Sequence, residues 1–253
     1  MHYSNAIVRW PADSCGHGLT TARLGSPDSA KTRVQFAAYV NALRGLGLTI
    51  TALPAEPAFP DSHFVEDTAV VAPAFAVITH PGAPSRQGEV ATIEPVLSRF
   101  RRIERISDDA RMDGGDVLMI DRRFFVGLSG RTDEAGVSEF STMVEKFGYR
   151  VDAIEVNAGL HLKSIVNYVG RNTLILSEDA TRHPAFADFE HIVVSRNEEY
   201  AGNTLWINDT LITPDGYPDT LSKLERLGLN VISIDTSEFR KMDGGLTCLS
   251  LRF

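Results

Sequence analysis

Apolar positions along the chain recur with two periods that keep trading places. Val34, Phe36, Ala37, Val40, Leu43 and Leu46 follow helical spacing, opened by Pro27-Asp28-Ser29-Ala30 and closed by Gly45 and Gly47. Short apolar runs flank that helix, at 5–10 before it and 48–53 after it, and a loop marked by Pro54, Pro57 and Pro60 follows. From there the order repeats. Residues 68–71 and 75–79 predict a hairpin, 86–100 a helix and 103–106 a strand. Residues 117–120 and 124–128 predict a second hairpin turned at Asp121-Arg122-Arg123, then helix 132–147 and strand 150–156. A third hairpin, 164–169 with 173–176, turns at Gly170-Arg171-Asn172 and leads to a weak helix at 184–189 and strand 191–194. A fourth, 204–207 with 210–213, turns at Asn208-Asp209 and leads to helix 218–227 and strand 230–234.

The first strands of these pairs start about 40 to 50 residues apart, the period of propellers and solenoids. A fifth hairpin is complete only if 246–251 pairs with 6–9. Five strand-strand-helix-strand units, one shared between the two ends of the sequence, close most naturally into a ring. The expected fold is α/β, a five-bladed propeller of ββαβ units forming one domain over 1–253. A doubly wound sheet fits worse, because two strands precede each helix and no glycine-rich phosphate loop follows the first strand.

Composition narrows the partners. With 253 residues, 43% of them hydrophobic, the chain can bury a sizeable core. No apolar run reaches the roughly 18 residues of a membrane span, and the first ten residues lack a signal-peptide pattern, so a soluble cytoplasmic protein is expected. The net charge of -8 argues against nucleic acid as partner and permits a cationic small ligand. Two cysteines, Cys15 and Cys248, are read as free thiols. No histidine spacing suggests zinc, and neither a metal nor a cofactor is expected.

In a ring, the loops that enter each hairpin converge on the axis. Those joins carry Asp61, Glu66 and Asp67, then Asp113, His161, Asn203, and finally Asp243 with Cys248. A cysteine attacks as thiolate and needs a nearby cation to ionise at neutral pH. A histidine can protonate a leaving amine and then deprotonate water. Carboxylates match the donor fork of a guanidinium. Together they favour attack at a guanidinium carbon, loss of an amine and hydrolysis of a thiouronium. Each residue also has a plainer reading: Cys248 as a small hydrophobe in a strand, His161 as a core histidine, Asp113 and Asp243 as turn residues beside their glycines. For Asp243 the turn is the preferred role.

At these positions the sequence resembles the dimethylarginine dimethylaminohydrolases of the guanidino-modifying, amidinotransferase-like superfamily. The motifs are Gly18-Leu19-Thr20, Phe59-Pro60-Asp61-Ser62, Phe64-Val65-Glu66-Asp67, Ser85-Arg86, Met112-Asp113-Gly114-Gly115-Asp116, Arg131-Thr132, Leu160-His161-Leu162-Lys163 and Asp243-Gly244-Gly245 through Cys248 to Phe253. The resemblance implies a five-bladed α/β propeller, Cys248 as nucleophile, His161 as general acid and base, and Asp113 as the orienting carboxylate, where some members have glutamate. It further implies that Phe64, Glu66, Asp67 and Asp61 surround the guanidinium side, that Arg86 and Arg131 bind the substrate α-carboxylate, and that Leu19 and Met242 offer backbone contacts. Without it, both arginines read as surface charges at helix starts.

The expected partner is a small guanidino amino acid, and the expected reaction converts Nω-methylated arginine to citrulline and a methylamine. An arginine deiminase-like hydrolase and a non-catalytic binder of arginine analogues are the alternatives. The inserted helical region of such deiminases has no counterpart in this sequence. Ring-edge strands could support a homodimer.

Overall fold

The computed structural model describes residues 2–253. Its first half contains β1 (Asn5–Arg9), α1 (Ser29–Gly45), β2 (Thr49–Leu53), β3 (Ala69–Val71), β4 (Phe75–Ile78), α2 (Val90–Leu97), β5 (Arg102–Arg105), β6 (Val117–Ile120) and β7 (Arg123–Leu128). Then follow α3 (Glu134–Glu145), β8 (Arg150–Glu155), β9 (Val166–Tyr168), β10 (Thr173–Ser177), β11 (Glu190–Val194), β12 (Leu205–Ile207), β13 (Thr210–Pro214), α4 (Pro218–Glu225), β14 (Asn230–Ile234), α5 (Ser237–Arg240) and β15 (Leu251–Arg252).

These strands form five three-stranded sheets with one plan. In each, a first strand runs antiparallel to a central one, which is parallel to a third: β3-β4-β5, β6-β7-β8, β9-β10-β11, β12-β13-β14 and β15-β1-β2. The antiparallel step needs only a tight turn. Between β12 and β13 it is Asn208-Asp209, both with positive φ (46° and 63°), the left-handed pair that a two-residue hairpin demands. The parallel step needs a crossover, supplied by α1, α2, α3 or α4 in four sheets.

In the remaining sheet the expected helix at 184–189 is absent. Pro184 opens a 3-10 turn that ends at Phe186, and the preceding His183 is extended. Proline disfavours helical geometry in the residue before it, so the crossover splits into two short turns, Glu178–Arg182 and Pro184–Phe186. The helix expected over 86–100 likewise begins as a 3-10 turn, Pro84–Glu89, and is α-helical only over Val90–Leu97.

The end of the chain departs most from expectation. Only Leu251 and Arg252 form strand, paired with Ile7 and Ala6, while Thr247–Leu249 is a 3-10 turn. Leu246 and Leu249, three residues apart and both fully buried, have the spacing of that turn rather than of a strand. Cys248 therefore precedes the strand that sequence alone put it in.

Apolar packing is spread over five clusters, each bridging two sheets. Ile7 and Leu251 pack with Ala69 and Ile78; Val70 and Phe75 with Val117 and Phe124; Leu118 and Ile120 with Leu174 and Leu176; Val169 and Ile175 with Leu211; Leu205 and Ile212 with Ala6 and Val8. Among the described residues, no helix is long and apolar enough to cross a membrane.

Candidate active site

The first strand of each sheet is preceded by a 3-10 turn, and these turns carry the residues singled out from sequence. Glu66 and Asp67 lie within Val65–Thr68, Asp113 just before Gly114–Asp116, His161 just before Leu162–Ser164, Asn203 just after Arg196–Gly202, and Cys248 within Thr247–Leu249. The turn at Val65–Thr68 touches both Thr247–Leu249 and Gly114–Asp116, and the latter touches Leu162–Ser164. Such close approach explains Gly114-Gly115. A Cβ on Gly114 would stand 2.0 Å from the Glu66 carbonyl oxygen, and one on Gly115 would stand 2.6 Å from His161 Nδ1.

His161 Nε2 is 2.9 Å from Asp113 Oδ2, and the backbone N–H of Gly82 donates to Asp113 Oδ1 at 2.8 Å. Burial opposes charge on Asp113, but the hydrogen bond and charge of His161, with help from Arg86, hold its carboxyl below the usual range. Burial likewise opposes charge on His161. Asp67, Asp113 and Asp116 outweigh it and raise the imidazole to about 9, so the ring is cationic at neutral pH. Asp116 accepts from Ser129 Oγ and Thr132 Oγ1, both at 2.7 Å, and from Leu162 N at 2.9 Å, anchoring the turn that presents His161.

Asp67 accepts from Gly115 N at 2.9 Å and from Arg86 Nη1. Arg86 is not a surface charge: it is 5% exposed and ringed by Asp67, Glu89 and the carbonyls of Asp61 and Phe64. Among the described residues Arg131, by contrast, has no ion pair or hydrogen bond on its guanidinium, which leaves that fork open to a ligand. Glu66 sits between cations, 2.6 Å from Lys163 Nζ and 3.0 Å from Arg252 Nη2, and accepts from Thr247 Oγ1 at 2.8 Å. Its field reaches the nucleophile candidate without a direct bond.

Leu19, Asp61, Phe64, Asp67, Arg86, Arg131 and Met242 line one cavity of ≈ 30 Å³ together with His161 and Cys248. That is room for water, not for an amino acid. The segment over it is tied down: Leu19 N donates to Asp61 at 3.1 and 3.2 Å, and Thr20 Oγ1 and Thr21 Oγ1 donate to Asp243 Oδ2 at 3.3 and 3.0 Å. Cys248 and His161 also line a larger cavity of ≈ 640 Å³, together with Glu66, Lys163, Tyr200, Asn203 and Thr247. Asp113 is fully buried behind His161 and lines neither. Cys248 is half-buried, and burial, then Glu66 and Asp67, push its thiol up to about 12.

Asp243 has φ +56°, a left-handed turn conformation, in keeping with the role preferred for it from sequence. Cys15 is buried in the apolar cluster that holds Phe36. Asp67, Asp113 and His161 put ligand atoms within 4.8 Å of one another, a spacing a metal could use. His161 Nε2 shares a hydrogen with Asp113 Oδ2, however, and while it does so that nitrogen has no lone pair to offer a cation. Sequence reasoning missed Lys163, Arg252, Thr247 and Asp116. All four lie within the motifs that carry the resemblance, with nothing local to mark their partners.

Fold and centre together define a class: an α/β chain of five turn-entered sheets whose turns gather a thiol, an imidazole and several carboxylates around one cavity. A family model described as N,N dimethylarginine dimethylhydrolase, eukaryotic, matches residues 26–200. The N(G),N(G)-dimethylarginine dimethylaminohydrolase of Pseudomonas aeruginosa is 41% identical over 99% of this chain and 100% of its own. That of Streptomyces coelicolor is 36% identical over 100% and 98%. The chain belongs to the dimethylarginine dimethylaminohydrolase family. Among solved structures, a cysteine-to-serine mutant of the Pseudomonas aeruginosa protein complexed with citrulline matches with a TM-score of 0.99 at 40% identity, covering 100% of both chains. An adduct of a histidine-to-glycine mutant of a dimethylarginine dimethylaminohydrolase with S-methyl-L-thiocitrulline gives 0.97 at 41% identity, covering 99% of this chain and 100% of that one. The N-terminal domain of a cyanobacterial arginine dihydrolase matches at 0.88 with 15% identity, a likeness of fold.

Proposed function

We propose that this protein hydrolyses Nω-methylated arginine to citrulline and a methylamine, with Cys248 as nucleophile, His161 as acid and then base, and Asp113 as the carboxylate that orients His161. The observation that carries the reading is the shared cavity: every expected substrate contact except Glu66 lines it beside Cys248 and His161. The family's relatives that bear this activity in their names add to it.

The electrostatics suit a cationic substrate. With its pKa near 12, the Cys248 thiol is neutral in the empty site, held so by burial and by two carboxylates. A guanidinium against Asp67 cancels part of that field and adds a positive charge, so the thiol gives its proton to solvent as the substrate settles. The sulfur then adds to the guanidinium carbon. His161, cationic at neutral pH and held through Nε2 by Asp113, protonates the methylated nitrogen, whose bond to carbon breaks. The amine leaves a thiouronium on Cys248. Neutral His161 next takes a proton from water and the hydroxide adds to the same carbon. The C–S bond breaks as the hydroxyl gives up its proton to the departing sulfur, leaving citrulline's carbonyl and the resting thiol. Asp67 and Asp61 hold the cation, while Arg131 and Arg86 take the α-carboxylate. Leu19 and Met242 supply backbone contacts and Phe64 an apolar wall. Glu66 acts from behind, through the cations it balances. The cavity must widen to admit the amino acid, which requires the Leu19 segment to shift.

The five sheets form a closed propeller and one cooperative domain in this reading. Its support is that the five apolar clusters bridge the sheets in cyclic order, the last joining β12 and β13 back to β1.

Purified protein given asymmetric dimethylarginine should release dimethylamine and citrulline, and the Cys248→Ser variant should bind the substrate without turnover. Consumption of arginine in preference to its methylated forms would overturn the assignment in favour of a deiminase.

A further inference from the structure

Arg86 and Glu89 lie on the same 3-10 turn, Pro84–Glu89, and both are buried. An arginine carries five N–H donors in a fixed fork. Here Nε donates to Glu89 Oε1 at 3.1 Å and Oε2 at 3.2 Å, and Nη2 donates to Oε2 at 2.8 Å, so one edge of the fork is gripped by a single carboxylate. The other Nη2 hydrogen is shared between the Phe64 carbonyl at 3.0 Å and the Asp61 carbonyl at 3.3 Å. One Nη1 hydrogen goes to Asp67 Oδ2. The second Nη1 hydrogen has no acceptor among the described residues, and Arg86 lines the small cavity.

A buried guanidinium facing one carboxylate normally turns to give it two parallel donors. Were Glu89 absent, Arg86 would clamp Asp67 in this way. Its last free donor would leave the cavity, and Asp67 would have less negative field to offer. We propose that Glu89 is a positioning residue: by holding the Nε–Nη2 edge it limits Arg86 to a single donor on Asp67 and reserves the last Nη1 donor for the α-carboxylate of the substrate. This rests on the arginine-analogue reading given above.

The surroundings argue that the pair is not there for stability. Glu89 is buried among Arg86, Asp61 and Asp67, with Arg9 within its field, and burial pushes its carboxyl up to about 7 despite Arg86. Burying an ion pair gains little over apolar packing of the same volume, so its use lies in the orientation it imposes.

The test compares two substrates, Nω-methyl-L-arginine and its decarboxylated counterpart Nω-methylagmatine, in the wild type, Glu89→Gln and Glu89→Asp. The quantity read is the ratio of the two kcat/KM values. Glu89→Gln should shrink it by roughly tenfold or more, chiefly through a raised KM for the amino acid, as expected for a lost charge-assisted contact. Glu89→Asp keeps the charge on a shorter stem and should lose less. A ratio unchanged in Glu89→Gln overturns the inference, since mere loosening of the fold would weaken both substrates alike. If Glu89→Gln does not fold, Glu89→Asp decides, and a wild-type ratio there overturns it. Should the wild type turn over neither compound, the functional reading fails. Dissociation constants of the same two compounds then give the ratio that decides the role of Glu89.

Discussion

At the scale of single residues, charge decides what each group can do. The His161 imidazole, raised to about 9 in the folded chain against about 6.5 unfolded, binds its proton more tightly when folded. Its contribution to stability is therefore complete below about pH 6.5 and lost as pH rises through about 9. Urea denaturation should show the stability gap between wild type and His161→Asn narrowing across that window; a gap that stays constant would disprove the raised value. Cys248 makes a parallel prediction. Its alkylation by iodoacetamide should stay slow below about pH 9 in the empty protein and accelerate when an unreactive guanidinium ligand is present, with Cys15 unaffected. His63 shows the opposite shift: fully buried against Phe64, with both ring nitrogens unpartnered, it is pushed down to about 3, largely by burial. It favours the fold above pH 6.5 and disfavours it as pH falls, so His63→Phe should flatten the acid side of the stability profile. The positions of Cys248, His161 and Asp113 were legible in sequence because all three sit at the same join. The burial of Arg86 was not, because apart from Glu89 its partners, Asp67 and the Asp61 and Phe64 carbonyls, lie on the far side of the hairpin of β3 and β4, and nothing local marks that they meet.

At the scale of elements, the repeated 3-10 turn is the device that sequence patterning blurred. An apolar run such as Leu246 to Leu251 satisfies strand alternation and turn spacing equally well, and tertiary packing of Leu246 and Leu249 chose the turn. Hairpins were easier, because Asn208-Asp209 states its own geometry. Asp243 tests how firmly the last turn is set. Asp243→Gly suits φ +56° and should be about 1 kcal/mol more stable than Asp243→Ala, in which a Cβ must hold the left-handed conformation. Both lose the bonds from Thr20 and Thr21, so proteolysis within the segment over the cavity should quicken equally in the two. Unequal proteolysis would place the tether elsewhere.

At the scale of the whole molecule, each sheet is too small to be stable alone and depends on the two clusters it shares with its neighbours. The protein's two tryptophans report on different sheets: Trp10 follows β1 and Trp206 lies in β12. Single-tryptophan variants, Trp10→Phe and Trp206→Phe, should show the same denaturation midpoint as far-ultraviolet circular dichroism. Separate midpoints would divide the five sheets into independent parts. The 40- to 50-residue period made the architecture legible. The order in which sheets touch had to come from packing.

One sheet takes its strands from opposite ends of the sequence, β15 lying against β1. Contacts of such separation form late. During synthesis Cys248 leaves the ribosome only just before β15, and until β15 docks there is no turn to hold the thiol near His161. A chain that stops before β15 thus carries His161 and the carboxylates without the turn that holds Cys248 beside them. His161, Asp113 and the Cys248 thiol therefore come together only in chains that already carry β15.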